Sequence, residues 1–118
     1  AFIHAAKTPE HLGGRALAII EDPDSLLELS SISVVEIAIK STLGKIAFTA
    51  DLTREALGRL NVRILPYKAE HGFEIFNLPR HHRDPFDRQI ISQALAEGIA
   101  VITPDNSFRL YAGVKVIW

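Results

Sequence analysis

The 118-residue sequence contains no cysteine and no methionine. Without cysteine there are no disulfide staples and no thiolate metal sites, so a metal would have to be held by oxygen or nitrogen. No apolar run reaches the ~18 residues of a membrane span. The opening Ala1-Phe2-Ile3-His4 lacks the basic-then-apolar order of a signal peptide, so no membrane contact and a cytoplasmic location are expected. Charge of one sign is missing too. Lys and Arg total 13 against 14 Asp and Glu, a net charge of -1. Such a chain has no global attraction to nucleic acid or anionic lipid, and any nucleic-acid contact must rest on a local patch. Repeats, low-complexity tracts, linkers, glycine-rich phosphate loops and the serine, histidine and acid spacing of acyl transfer are all absent. What remains, with 47% hydrophobic residues, is a single domain over residues 1–118 with one buried core.

Apolar spacing predicts alternating helices and strands. Phe2 to Ala6 and Arg15 to Glu21 read as short helices separated by Pro9 and Gly13-Gly14. Leu26 to Ser30 reads as a strand, and Val34 to Leu43 as a mostly buried helix with Ser33 as its cap and Gly44 as its stop. Asp51 to Leu60 reads as an amphipathic helix capped by Asp51 or Thr53, Val62 to Leu65 as a strand, and Glu70 to Phe76 as a helix. Asp84 to Glu97 has both a start signal, Asp84-Pro85, and a stop signal, Gly98, with Phe86, Ile90, Ile91, Ala94 and Leu95 on its apolar face. Ile99 to Thr103 and Val114 to Trp118 are strands, with a short helix or turn over Asn106 to Tyr111. Strands separated by helices predict an α/β fold with parallel pairing and helices on both faces, in which ligands collect at the carboxyl ends of the strands.

The stretch His81-His82-Arg83-Asp84-Pro85-Phe86-Asp87-Arg88 carries more charge than a helix start needs. Asp84 suits the cap; Asp87 then adds a second acid in the first turn. Glu36 and Asp105 follow strand ends. Together Glu36, Asp84, Asp87 and Asp105 offer the oxygen ligands that hard divalent cations such as Mg2+ or Mn2+ need, and phosphodiester hydrolysis is the chemistry such a cluster serves. Each acid also has a structural reading. Ser33 to Glu36 matches a capping box, Asp84 a cap, and Asp105 in Thr103-Pro104-Asp105-Asn106 a turn or cap residue. Adjacent His81 and His82 make a poor zinc pair, and no general base is assigned among the histidines. Arg83, Arg88, Lys40 and Lys45 are candidates for phosphate contact, or ordinary solvated charge.

Ser33-Val34-Val35-Glu36-Ile37-Ala38-Ile39-Lys40 with Leu43-Gly44-Lys45-Ile46, the His81 to Arg88 stretch, and Val101-Ile102-Thr103-Pro104-Asp105 resemble, in order and spacing along essentially the whole chain, the PIN-domain nucleases, specifically the VapC-type toxins of bacterial toxin–antitoxin pairs. The resemblance implies a PIN-like three-layer α/β/α fold with a mostly parallel sheet of about five strands. It also implies a Mg2+- or Mn2+-dependent endoribonuclease acting on RNA, a cognate antitoxin as partner, and a homodimer. Of four acidic positions used by the family, Glu36 matches the second, Asp87 the third and Asp105 the fourth, so catalytic and metal-binding roles fall to these three, with Asp84 auxiliary. Substrate contact falls to Arg83, Arg88 and Lys40.

The family's first strand, central in its sheet and ending in the first aspartate, has no counterpart here, since Ala1-Phe2-Ile3-His4-Ala5-Ala6 resembles the helix that follows it. Residues upstream of Ala1 are therefore expected in the natural protein; a chain truly starting at Ala1 is expected to be defective in metal binding and catalysis. Two other functions remain open on this sequence. One is a catalytically impaired PIN-fold module that binds an antitoxin or another protein; the other is a PIN nuclease of RNA maturation, or one acting on DNA.

Overall fold

Apolar residues in this chain recur mostly at helical spacing, and the runs that favour strands are only a few residues long, so helices dominate. The computed structural model describes residues 1–118. In chain order the elements are α1 (Phe2–Lys7), α2 (Gly14–Glu21), β1 (Leu27–Ser30), α3 (Ser31–Thr42), α4 (Ala50–Arg59), β2 (Val62–Leu65), α5 (Ala69–Glu74), α6 (Pro85–Glu97), β3 (Val101–Ile102) and β4 (Val116–Ile117). Segments of 3-10 helix occupy Pro9–His11, Ile75–Asn77 and Asn106–Leu110. No helix is long and apolar enough to cross a membrane.

All strand pairing is parallel. β1 lies against β2 with Leu27 opposite Val62 and Ser30 opposite Leu65, and β3 against β4 with Val101 opposite Val116. Helical segments connect the members of each pair, as parallel pairing requires. The PIN-like α/β arrangement is thus present, but the expected continuous sheet of about five strands is not: four strands form two separate two-stranded pieces. The late strands are also shorter than expected. Ile99 to Thr103 contributes only Val101–Ile102, and Val114 to Trp118 only Val116–Ile117.

Two helix starts differ from expectation. Ser30 caps α3, its hydroxyl accepting from the Ile32 amide at 3.2 Å. The helix therefore begins at Ser31, Ser33 lies inside it, and the Ser33 to Glu36 capping box is overturned. β1 stops at Ser30, so the chain turns into helix immediately and the first available hydroxyl takes the cap. Similarly Thr49, accepting from Leu52 N–H at 3.2 Å, caps α4 in place of Asp51 or Thr53. Thr53 is buried one turn on and donates to the Thr49 carbonyl at 2.8 Å. In contrast α6 starts and stops as its sequence predicts, with Asp84 as cap, Pro85 first in the helix, and Gly98 in the left-handed conformation at φ +66°.

The core has two centres. Ile91, Phe108, Tyr111 and Val116 form one, lined by Leu78, Ile90, Leu95, Val101 and Val114. Ile37, Phe48 and Ala56 form the other, against Phe2, Ile3, Ala6 and Ile46. Removing the side chain of fully buried Ile91 would cost about 2–5 kcal/mol through lost burial and the cavity left behind. α6 touches both strand pairs. Ile91 faces the β3–β4 side, whereas Gln93 Nε2 donates to the Leu65 and Pro66 carbonyls at 3.3 and 3.1 Å, just past β2. Ser92 Oγ lies 2.9 Å from Tyr67 Oη on that same side. α3 is less buried than its apolar sequence predicts: only Ile37 is enclosed, and Val35 and Ile39 remain 48% and 43% exposed. Val35, Ile39 and Leu43, four residues apart, form a stripe on the side opposite Ile37.

Candidate metal centre at the start of α6

The first turn of α6 is fixed before any chemistry is considered. Asp84 Oδ1 accepts from the Phe86 amide at 2.8 Å, and Pro85 supplies a helical φ without wasting an N–H. The loop leading in is held by Tyr111, whose buried hydroxyl accepts from His82 N–H at 2.9 Å and from Arg88 Nη1 at 3.4 Å. Arg88 also donates to the Pro79 carbonyl at 2.9 Å. Asp87 is thereby set at the mouth of the helix, with its carboxylate one-quarter exposed.

Asp105 approaches from the other side. It follows β3 by way of Thr103 and Pro104 and caps the 3-10 segment Asn106–Leu110. Its Oδ1 accepts from Ser107 N–H at 2.9 Å and from Ser107 Oγ at 2.7 Å, so one carboxylate oxygen is saturated locally. The other, Oδ2, faces His82. Both structural and functional readings of Asp105 therefore have a basis in one side chain, because the cap uses one oxygen and leaves the second.

His82 joins the two acids. Its Nε2 is 2.9 Å from Asp105 Oδ2 and 3.0 Å from Asp87 Oδ2. The opposite ring nitrogen, Nδ1, accepts from the Asp84 amide at 3.1 Å. The imidazole stands edge-on to Phe108, centroids 5.8 Å apart. These are metal-ligating atom types gathered in a small space: one from each of His82, Asp87 and Asp105, all within 4.8 Å of one another.

Glu36 lies in the second turn of α3, paired with Lys40 at 2.9 Å. Its negative charge reaches Asp87. Burial foremost, then the charges of Asp84, Glu36 and Asp105, opposed by His82, push the Asp87 carboxyl up to about 6 from an ordinary 3.8. Asp105 moves the opposite way. Hydrogen bonds from the Ser107 hydroxyl, His82 and the Ser107 amide hold its carboxyl below the usual range. The Lys40 ammonium is held charged mainly by its bond to Glu36, with Asp84 and Asp87 contributing. Charge from Glu36, Asp84 and Asp105 thus reaches Asp87, but of these acids only Asp105 places a ligand atom in the cluster with Asp87 and His82; Glu36 and Asp84 lie outside it. Among the expected phosphate contacts, Lys40 is paired with Glu36, Arg88 is turned to Pro79 and Tyr111, and Arg83 is exposed without an ion pair.

The donor set fits a hard divalent cation: carboxylates with a neighbouring imidazole, one of the acids kept from ionising easily by burial first and by the acids around it second. Sequence reasoning did not find His82 in this role, having weighed it only as a zinc ligand. The available signal was its position two residues before the Asp84 cap, close enough for the ring to receive a helix-start amide.

No curated protein matches the chain. The PIN domain family matches residues 1–114. PIN domains are generally metal-dependent nucleases, hydrolases of nucleic acid, and the parallel α/β frame with acids at the start of α6 and after β3 agrees with that match. The chain belongs to the PIN domain family.

Proposed function

We propose that this protein is a Mg2+- or Mn2+-dependent endoribonuclease of the VapC type, the toxin of a toxin–antitoxin pair acting in the cytoplasm. The observation that carries the reading is the half-buried Asp87 carboxyl, raised to about 6 by burial and by Asp84, Glu36 and Asp105. A carboxyl that is partly buried and faced by other acids is costly to ionise, and groups perturbed in this way cluster at functional sites.

Glu36, Asp87 and Asp105 would hold the cation, with Asp84 assisting. When bound, a divalent cation supplies Lewis-acid activation of water and neutralises charge developing on the scissile phosphate. The chain's own groups do the rest. Ser107 fixes the Asp105 carboxylate, the Asp84 cap fixes the helix turn that carries Asp87, and the N-terminus of the 13-residue α6 adds a positive field towards an approaching phosphate. Arg83, exposed and next to Asp84 in the chain, would meet the RNA backbone, and Lys40 would become available once a cation relieves Glu36 of it.

The exposed Val35, Ile39 and Leu43 stripe supports a protein partner, whether the antitoxin or a second copy in a homodimer. Glu36 and Lys40 adjoin that stripe in sequence, so a partner seated along it would lie beside the acids and restrain the nuclease.

The test is cleavage of a total RNA pool by the full-length protein with Mg2+ or Mn2+, beside growth arrest on expression. Asp87→Asn should abolish both. Absence of cleavage from metal-replete protein, together with undiminished toxicity of Asp87→Asn, overturns the reading.

A further inference from the structure

The environment of His82 differs from that of a metal ligand in one decisive respect. A neutral imidazole has one N–H and one lone pair. The Asp84 amide donates to Nδ1 at 3.1 Å, which consumes the lone pair there and leaves the proton on Nε2. Nε2 is the atom that faces Asp105 Oδ2 and Asp87 Oδ2 at 2.9 and 3.0 Å. The ring therefore donates its single Nε2–H to Asp105 Oδ2, while Asp87 Oδ2 lies 3.0 Å from the same nitrogen without a hydrogen bond from it. To ligate an ion through Nε2 it would have to move its proton to Nδ1 and set that proton against the Asp84 N–H.

We infer that His82 is a positioning residue whose Nε2–H holds Asp105 Oδ2 beside Asp87 and leaves when a divalent cation takes the oxygens of those two acids. The inference rests on the metal reading proposed above. Three observations support departure of the ring rather than its retention. The Oδ1 of Asp105 is already saturated by Ser107, so Oδ2, the oxygen His82 occupies, is the one left for an ion. The His82 main chain is anchored independently of its ring through the Tyr111 hydroxyl at 2.9 Å, so the side chain can rotate while the loop stays in place. The side chain is 16% exposed, leaving a route outward. In this arrangement an ion enters by exchange for a hydrogen bond.

The test follows the ring N–H of His82 by 1H–15N spectroscopy of the full chain during titration with diamagnetic Mg2+, its signal assigned by its loss in His82→Ala. The free protein should show the Nε2–H form with a slowly exchanging proton. Saturation with Mg2+ should shift the Asp87 and Asp105 amides and abolish that protected signal. In calorimetry, His82→Ala should bind Mn2+ roughly tenfold more tightly, since no hydrogen bond to charged oxygens has to be broken first. Amide shifts at Asp87 and Asp105 with the His82 signal intact, or equal or weaker Mn2+ binding by His82→Ala, would overturn the positioning role and leave the metal reading standing. Failure of saturating Mg2+ to move either acid would remove the metal reading, and this inference with it. Should His82→Ala fail to fold, the wild-type titration decides alone, with the signal assigned in His82→Gln.

Discussion

The Asp84 carboxylate is the largest charge acting against ionisation of Asp87, three residues further along, and is second only to burial in raising its pKa. One acid starts the helix and, by doing so, makes the next one costly. This division of labour has a measurable sign. Asp87 moves from 3.8 when unfolded to about 6 when folded, so the metal-free fold binds an extra proton between those values and loses stability as pH rises through them. Above pH 6 the full penalty applies.

Asp87→Asn should therefore stabilise the metal-free protein at pH 7 to 8 by about 1–3 kcal/mol, towards the lower end because the side chain is partly solvated. The same change should flatten the pH dependence between about 4 and 6 and abolish any rise in Tm on adding Mg2+. Thermal melts across that range, with and without the ion, check all three effects.

Asp105 should behave in the opposite direction. Its carboxyl is lowered by Ser107 and His82, so the stability it contributes is present above the ordinary carboxylate pKa and disappears as pH falls through its folded value. Asp105→Ala should cost about 1 kcal/mol at neutral pH through loss of the cap over Asn106–Leu110. The deficit relative to wild type should vanish in acid. Urea titrations at neutral and low pH measure it.

Tyr111→Phe removes the acceptor for the His82 N–H and for Arg88. A part-buried amide left without a partner costs about 1 kcal/mol, the lower end of the usual range. The loop from Pro79 to Asp84 should loosen with it, and hydrogen exchange at the His82 amide should rise while β1 and β2 are unaffected.

Glu36→Gln separates chemistry from folding. The i, i+4 pair with Lys40, in which Lys40 is exposed and Glu36 partly buried, contributes about 0.5 kcal/mol. Stability should thus barely move, whereas RNA cleavage should fall by about 100-fold or more, as expected when a metal ligand loses its charge. Equal rates for wild type and Glu36→Gln would exclude Glu36 from the site.

What the sequence made legible was local. The order Asp84-Pro85 with Gly98 at the far end delimits α6 because cap, fixed φ and left-handed stop are properties of neighbouring residues. The parallel α/β frame followed from the alternation of helix and strand patterns. Caps where several hydroxyls compete were not legible: Ser30 took α3 from Ser33 because the end of β1 decides where the helix can begin. Strand lengths at β3 and β4 were over-read, since an apolar run says nothing of how many residues find a pairing partner. The exposed Val35, Ile39 and Leu43 look in sequence like core, because hydrophobicity alone does not name the surface it is meant to cover. His82 was missed for a related reason. Its role needs Asp84 on one ring nitrogen, Asp87 and Asp105 on the other, and Tyr111 from 29 residues away on its backbone. No periodicity encodes that convergence.

α6 is held on one side by Tyr67 and by the carbonyls of Leu65 and Pro66, and on the other by Phe108, Tyr111 and Val116. In terms of native-state opening, the amides from Ile91 to Ala94, whose residues are all buried, should exchange with solvent later than those of six-residue α1, which has no side-chain cap. The acid on which the proposed chemistry turns is thus mounted one turn ahead of this protected stretch, on the same helix.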